Sequence, residues 1–279
     1  MDRRTLLKGS LTSAILGSLG IVSPIAQSAD AQAANAQAAN AQAAKLSDRQ
    51  SSWGYIGDES PQHWGELSSE YRACTAGAEQ SPIDLHDPQK TVARGDRATL
   101  ALDYHNTPLK ILHNGHTVQV NYAPGSTLRL DDQDYELLQF HFHEPSEHTV
   151  DQRPYAMEMH LVHKNQQTGN LAVVGVLIKE GAQHPALDKI WQHMPRKATP
   201  ETTVPQVSVN AAQLLPAQKA HYYRYHGSLT TPPCSEVVNW IVLAQPIEAS
   251  SQQIAQFKTA VGDNARPTQP LHRRVLRLQ

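Results

Sequence analysis

From about Ser52 to the end, the chain alternates apolar and polar positions in short segments separated by Gly, Pro, Asn and Asp. Side chains on a β-strand point alternately to opposite faces, so segments of this kind read as strands. They are Leu100–Tyr104, Leu109–Asn114, Thr117–Tyr122, Ser126–Leu130, Tyr135–His143, Ala156–Lys164, Leu171–Glu180, Tyr222–Tyr225 and Val237–Ala244. Helical periodicity is confined to Leu187–Met194 and Ser251–Val261, the second with Ser250 or Ser251 as its N-cap. Residues 52–279 show no composition break and no second linker. They predict one domain that is mainly β: a large, twisted, mostly antiparallel sheet with short surface helices and long loops.

Two of these segments carry chemistry on one face. In Leu138-Gln139-Phe140-His141-Phe142-His143, the period of two sends Leu138, Phe140 and Phe142 to a core and Gln139, His141 and His143 to the opposite side. The two histidines stand about 6.5 Å apart at Cα, a spacing that suits two ligands of one ion. In Met157-Glu158-Met159-His160-Leu161-Val162, Glu158, His160 and Val162 share a face, with the methionines and Leu161 behind. If the strands are neighbours, His160 supplies a third nitrogen. Three neutral imidazoles with an open fourth position describe a catalytic zinc site rather than a closed structural one. Gln139 and Glu158 are acceptors placed to take a free ring N–H and so fix a tautomer. His141-x-His143-x-x-x-Glu147 also looks like half of a cupin metal motif, but Tyr135 and Pro154 occupy the positions where that motif wants glycine.

Composition adds a bias and some exclusions. The 279 residues contain 15 His but only 3 Phe. Lys plus Arg (24) nearly balance Asp plus Glu (26), for a net charge of −2, so bulk charge does not favour nucleic acid or an anionic membrane. The N-terminus reads Asp-Arg-Arg-Thr-Leu-Leu-Lys over residues 2–8, then a mildly apolar run from Leu11 to Ala26 broken by Gly17, Gly20 and Pro24, then small-residue cleavage candidates. This predicts a signal peptide over residues 1–31, twin-arginine-like rather than Sec, and a periplasmic or extracellular protein with no stable membrane insertion after cleavage. Ala-Gln-Ala-Ala-Asn repeats follow, and residues 32–51 read as a linker. Cys74 and Cys234 are the only cysteines. In an exported chain they read as one disulfide, with a pair of free thiols as the alternative.

The block Ser146-Glu147-His148-Thr149-Val150, Tyr155 and Glu158-Met159-His160-Leu161-Val162 resembles the signature of the α-class carbonic anhydrases. So do Gln80-Ser81-Pro82-Ile83-Asp84, Asn114-Gly115-His116, Leu171-Ala172-Val173-Val174-Gly175, Gly227-Ser228-Leu229-Thr230-Thr231-Pro232-Pro233, Asn239-Trp240-Ile241-Val242-Leu243 and Arg266-Pro267-x-Gln269-Pro270. The resemblance runs from Trp53 to the C-terminus. It implies an exported zinc lyase for the reversible hydration of CO₂ to bicarbonate and a proton, by attack of zinc-bound hydroxide on CO₂. It implies one Zn²⁺ per chain, a small-molecule substrate, no nucleic-acid partner, and a monomer or homodimer.

By the same resemblance His141, His143 and His160 are the zinc ligands, with Gln139, Glu158 and the backbone carbonyl of Asn264 as their acceptors. Thr230 is a gatekeeper hydroxyl that donates to Glu147, and Thr231 joins it in contacting substrate. Val162, Val173, Leu229 and Trp240 form an apolar wall suited to CO₂. His116 is the proton shuttle, with Tyr55, Asn114 and Gln119 in its water network. Cys74 and Cys234 match the disulfide of exported members and would brace the Thr230 loop. The Ser81-Pro82 and Pro232-Pro233 bonds are cis in the family. Glu144-Pro145 replaces a longer insert of animal members.

Overall fold

Strand formation in this chain follows the apolar alternation, and the computed structural model describes it over residues 52–86, 93–94 and 100–279. The leader and linker expected over residues 1–31 and 32–51 lie outside the described residues. In chain order the strands are β1 (Asp84–Leu85), β2 (Ala93–Arg94), β3 (Leu100–Asp103), β4 (Thr107–His113), β5 (Val118–Asn121), β6 (Thr127–Leu130), β7 (Gln133–His143), β8 (Thr149–Val150), β9 (Arg153–Pro154), β10 (Met157–Lys164), β11 (Leu171–Glu180), β12 (Thr199–Val209), β13 (Tyr222–Gly227), β14 (Val238–Ala249) and β15 (Arg277–Leu278). Among the described residues, twelve strands form one sheet in the order β12-β4-β5-β7-β10-β11-β14-β13-β15-β2, with β6 pairing β7 and β3 pairing β6. Most neighbours are antiparallel, but β11 and β14 run parallel at the centre. A small sheet joins β1, β8 and β9. No helix among the described residues is long and apolar enough to cross a membrane.

The central strands are buried on both faces, so they read as nearly continuous apolar runs rather than strict alternations. On one face Phe140, Phe142, Met159, Leu161, Val174, Val176, Ile241 and Leu243 belong to the larger core. That face is covered by the helices Pro185–Trp191 and Ser251–Val261, which contribute Leu187, Ile190, Trp191 and Phe257. Ser250 caps the second helix with a full capping box to Gln253, which settles the choice between Ser250 and Ser251. On the other face Val173, Leu177, Trp240, Val242, Tyr223 and Tyr225 form a second core with Ile83 and Leu85.

One parity expectation fails. Leu138 is 37% exposed and does not join the core; Leu137 takes that place. The register shows why: Val162 lies opposite Gln139, but His163 lies opposite Leu137. Leu138 is the extra residue of a β-bulge, which shifts the alternation by one before it resumes at Phe140. β12 has no counterpart in the expected strands. It is an edge strand, largely exposed, with Pro200 and Pro205 and two irregularities against β4, so it carries no alternation to read.

Candidate metal centre

The sheet brings the three histidines together by register. His160 on β10 lies directly opposite His141 on β7, and Glu158 opposite His143. Gln119 on β5 flanks His141 from the other side. Residues facing each other across antiparallel strands project to the same face, so these side chains converge. Ring centroids are 5.1 Å apart for His141 and His143, 5.4 Å for His141 and His160, and 4.6 Å for His143 and His160. One nitrogen from each ring lies within 4.8 Å of the others, so the cluster could hold a metal ion.

Each ring is tied back by its remaining nitrogen. His141 Nδ1 donates to Gln139 Oε1 at 2.9 Å, His143 Nδ1 to the Asn264 carbonyl at 2.8 Å, and His160 Nε2 to Glu158 Oε1 at 2.9 Å. These acceptors fix the tautomers and leave His141 Nε2, His143 Nε2 and His160 Nδ1 with their lone pairs free. His143 Nε2 is buried with no hydrogen-bond partner, an arrangement that costs free energy unless a cation accepts its lone pair.

The electrostatics favour the neutral, ligand form at two of the three rings. Burial holds His141 well below the ordinary histidine range, and the neighbouring His143 and His160 push the same way. Burial also lowers His143, against the pull of Glu147. His160 is raised instead: burial opposes its charge, but Glu158 outweighs it. Glu158 itself stays ionised although burial opposes it, because His148 and His160 hold its carboxyl well below the usual range. Its oxygens accept from His148 Nδ1, His160 Nε2 and the backbone N–H groups of Glu147 and His148, so the buried carboxylate is saturated. His148 Nε2 lies 2.7 Å from Tyr225 Oη. Gly175, opposite His160, leaves room for this carboxylate: a Cβ there would sit 3.0 Å from Glu158 Oε1.

The apolar wall is continuous. Val162 lies opposite Val173, and Val173 opposite Trp240, in one row across β10, β11 and β14. Trp240 is anchored by its indole N–H to the Ser228 carbonyl at 3.0 Å, and its ring lies 4.8 Å from His160. Leu229 packs against the same cluster.

Around this strand-borne centre the loops contribute unequally. Glu147 is buried; its Oε1 accepts the Arg266 backbone N–H at 2.9 Å, and its Oε2 has no partner. The expected bond from the Thr230 hydroxyl to Glu147 is therefore not formed, although both residues are buried. Glu147 Oε2 instead lies 3.9 Å from His160 Nδ1. Thr231 is half-buried, and its carbonyl accepts the Cys234 N–H. His116 stacks on Trp53 with centroids 3.7 Å apart and planes 8° apart, and burial lowers its pKa. Tyr55 lies edge-on to Trp53 and Trp64, and burial, then Glu147, pushes its phenol well up. Gln119 donates to Asn121 at 2.6 Å, and Asn121 to Glu201. Asn114 sits at the start of the loop that carries His116. It is exposed, and its Oδ1 accepts the N–H groups of His116 and Thr117, so it shapes the turn.

Cys74 and Cys234 form a disulfide with Cα atoms 5.0 Å apart, closing off the free-thiol alternative. The Ser81-Pro82 and Pro232-Pro233 bonds are cis, and so is Glu144-Pro145. Sequence reasoning assigned Arg266 no role, yet it is a hub. Its guanidinium donates to Gln80 Oε1, the Ser81 carbonyl and the Cys74 carbonyl, and lies over the Trp64 ring. A charged residue amid the motif Arg266-Pro267-x-Gln269-Pro270 was the one available signal.

Comparison with known proteins places this geometry in a family. The model for eukaryotic-type carbonic anhydrases matches residues 59–279. A carbonic anhydrase of Nostoc sp. is 48% identical over 81% of this chain and 85% of its own length. One from Klebsiella pneumoniae is 46% identical over 81% of this chain and 90% of its own. The solved α-carbonic anhydrase of Thermovibrio ammonificans, in complex with the inhibitor sulfanilamide, superposes with a TM-score of 0.77 at 41% identity, covering 81% of this chain and 99% of that one.

Proposed function

The chain belongs to the eukaryotic-type (alpha) carbonic anhydrase family and is a carbonic anhydrase, and from that premise we propose that it is a zinc enzyme using His141, His143 and His160 as ligands. The observation that carries this is the set of three imidazoles, two buried and one half-buried, each with one nitrogen tied to a fixed acceptor and the other turned to a common point. Three nitrogen donors with no fourth protein ligand suit catalytic zinc. Bound there, zinc supplies Lewis-acid activation of water for addition to CO₂, giving bicarbonate and a proton.

The surrounding residues then have defined tasks. Glu147 is acceptor-only when ionised, and with Oε1 committed to Arg266, its unpartnered Oε2 is the atom left to accept the Thr230 hydroxyl proton once that side chain turns to it in the working site. That fixes the Thr230 oxygen as an acceptor toward the reacting water, and so orients it. The Thr230 N–H and the Thr231 side chain contact the bicarbonate oxygens. Val162, Val173, Leu229 and Trp240 offer CO₂, which has no net dipole, a surface that excludes competing water. His116 carries the proton to solvent; its lowered pKa favours release at neutral pH. Gln119 beside His141 and the phenol of Tyr55, kept neutral by burial, complete the polar rim. Residues 1–31 act as an export signal, residues 32–51 as a linker and residues 52–279 as the catalytic domain, acting in the periplasm or outside the cell.

The test is stopped-flow CO₂ hydration with metal analysis, with and without sulfanilamide. One zinc per chain, hydration activity and its loss on chelation or sulfonamide binding are expected. Stoichiometric zinc without hydration activity overturns the mechanism.

A further inference from the structure

A loop at the rim of a site is mobile unless its backbone is tied down. The loop 114–117, which carries His116 between β4 and β5, is tied down at several points. Asn114 Oδ1 accepts from the His116 and Thr117 N–H groups, both at 2.9 Å. His113 Nδ1 accepts the Gly115 N–H at 3.1 Å, and its Nε2 donates to the Ala260 carbonyl at 3.1 Å. Gly115 permits the turn with φ at 95°.

Two further ties lead to one atom. Thr117 Oγ1 donates to the Phe142 carbonyl at 2.6 Å. Asn264 Nδ2 donates to that same carbonyl at 3.0 Å and to the His116 carbonyl at 3.0 Å. Phe142 lies between His141 and His143, and its carbonyl belongs to the peptide bond it makes with His143, one of the candidate ligands. Asn264 is 1% exposed, and its Oδ1 accepts the Glu144 N–H at 2.8 Å. An amide side chain supplies two donors and an acceptor, and all are used here. Its separate backbone carbonyl holds His143.

We propose that the Asn264 side chain is a positioning residue for proton removal: it fastens the His116 carbonyl to the Phe142–His143 peptide, and so sets the shuttle's distance from the ligands. Thr117 is its second strap. This rests on the reading of His116 as the shuttle. Transfer through ordered water needs alignment, and a misplacement of about 1 Å can cost on the order of 10²-fold. Removing the amide donors frees the His116 carbonyl but keeps the Asn264 carbonyl, so the ligand's own support survives any side-chain substitution.

The experiment compares Asn264→Ala, Thr117→Val and His116→Ala in the zinc-loaded mature enzyme. Three quantities are read: kcat in weak buffer with and without imidazole, kcat/KM, and the NMR signals of the His116 ring. In Asn264→Ala, kcat should fall about tenfold while kcat/KM falls less than about twofold, and imidazole should restore kcat. The His116 ring should also lose the ring-current shift that stacking on Trp53 imposes. Thr117→Val is close in shape and should shift both readouts the same way by less, so it carries the test if Asn264→Ala does not fold. A parallel fall of kcat and kcat/KM, or a His116 signal unchanged in either folded variant, overturns the positioning role. Unchanged kcat in His116→Ala overturns the shuttle reading instead, and the ring signal still decides whether Asn264 holds the loop.

Discussion

Where His141, His143 and His160 take their places from hydrogen-bonded strands, Thr230, His116 and Asn264 take theirs from loops held by individual side chains. In the first region the backbone ladder decides which face a residue occupies, and Gln139, Glu158 and Gln119 follow by the same register. In the second, position depends on a disulfide, a buried guanidinium and an amide. Damage should therefore differ in kind: losses among the strands remove the metal, and losses among the loops leave it bound but poorly used.

The largest effect should come from the strand region. His160→Ala should bring zinc from one per chain to a trace and hydration to background, with the circular dichroism of the sheet retained; zinc still bound at one per chain would remove His160 from the ligand set. Next is Glu158→Ala, which leaves His148 and His160 without their buried acceptor. Competition with a chelator should show zinc affinity weakened by about 10–100-fold, and denaturant titration a stability loss of about 3–5 kcal/mol. On the loop side, reducing Cys74–Cys234, or replacing both by serine, should cost about 2–5 kcal/mol. Activity should fall with zinc still bound, because Cys234 ends the Thr230 loop. Full activity after complete reduction would separate the disulfide from the site.

His163 offers the smallest and sharpest contrast, since it shares β10 with His160 but projects into the opposite core. It bonds to Tyr104 and to the Ala172 carbonyl, and burial lowers its pKa from 6.5 to about 4. With the folded value depressed, the unfolded chain takes up this proton first. Stability is intact above pH 6.5 and declines as pH falls toward about 4, by about 3 kcal/mol in all. In His163→Gln the slope of stability against pH over that window should flatten; an unchanged slope would place the acid sensitivity elsewhere.

The same division decided what could be read from residue order. Parity alone put His141, His143, Gln139, His160 and Glu158 on one side, because a strand's period is a local property. It failed at Leu138, since a bulge is imposed by the partner strand and leaves no mark in its own segment. It missed β12, whose prolines and exposure erase alternation at the sheet's edge. The loop contributions depend on contacts between distant segments, so family resemblance supplied Thr230, His116 and Asn264. It did not supply the guanidinium contacts of Arg266 or the turn-forming use of Asn114. The Thr230–Glu147 bond is a rotamer-level detail that neither pattern nor resemblance can fix.

The Asn264 carbonyl and the Arg266 backbone amide also impose an order on how the protein comes into being. A ribosome delivers His141, His143 and His160 well before the segment that orients His143 and holds Glu147. Vectorial synthesis therefore yields a nascent chain with all three candidate ligands present and the tautomer of one undetermined. If these histidines bind metal as proposed, capture in its final form waits for the closing stretch of translation, and a chain truncated before Asn264 would carry all three candidate ligands and still lack the carbonyl that orients His143.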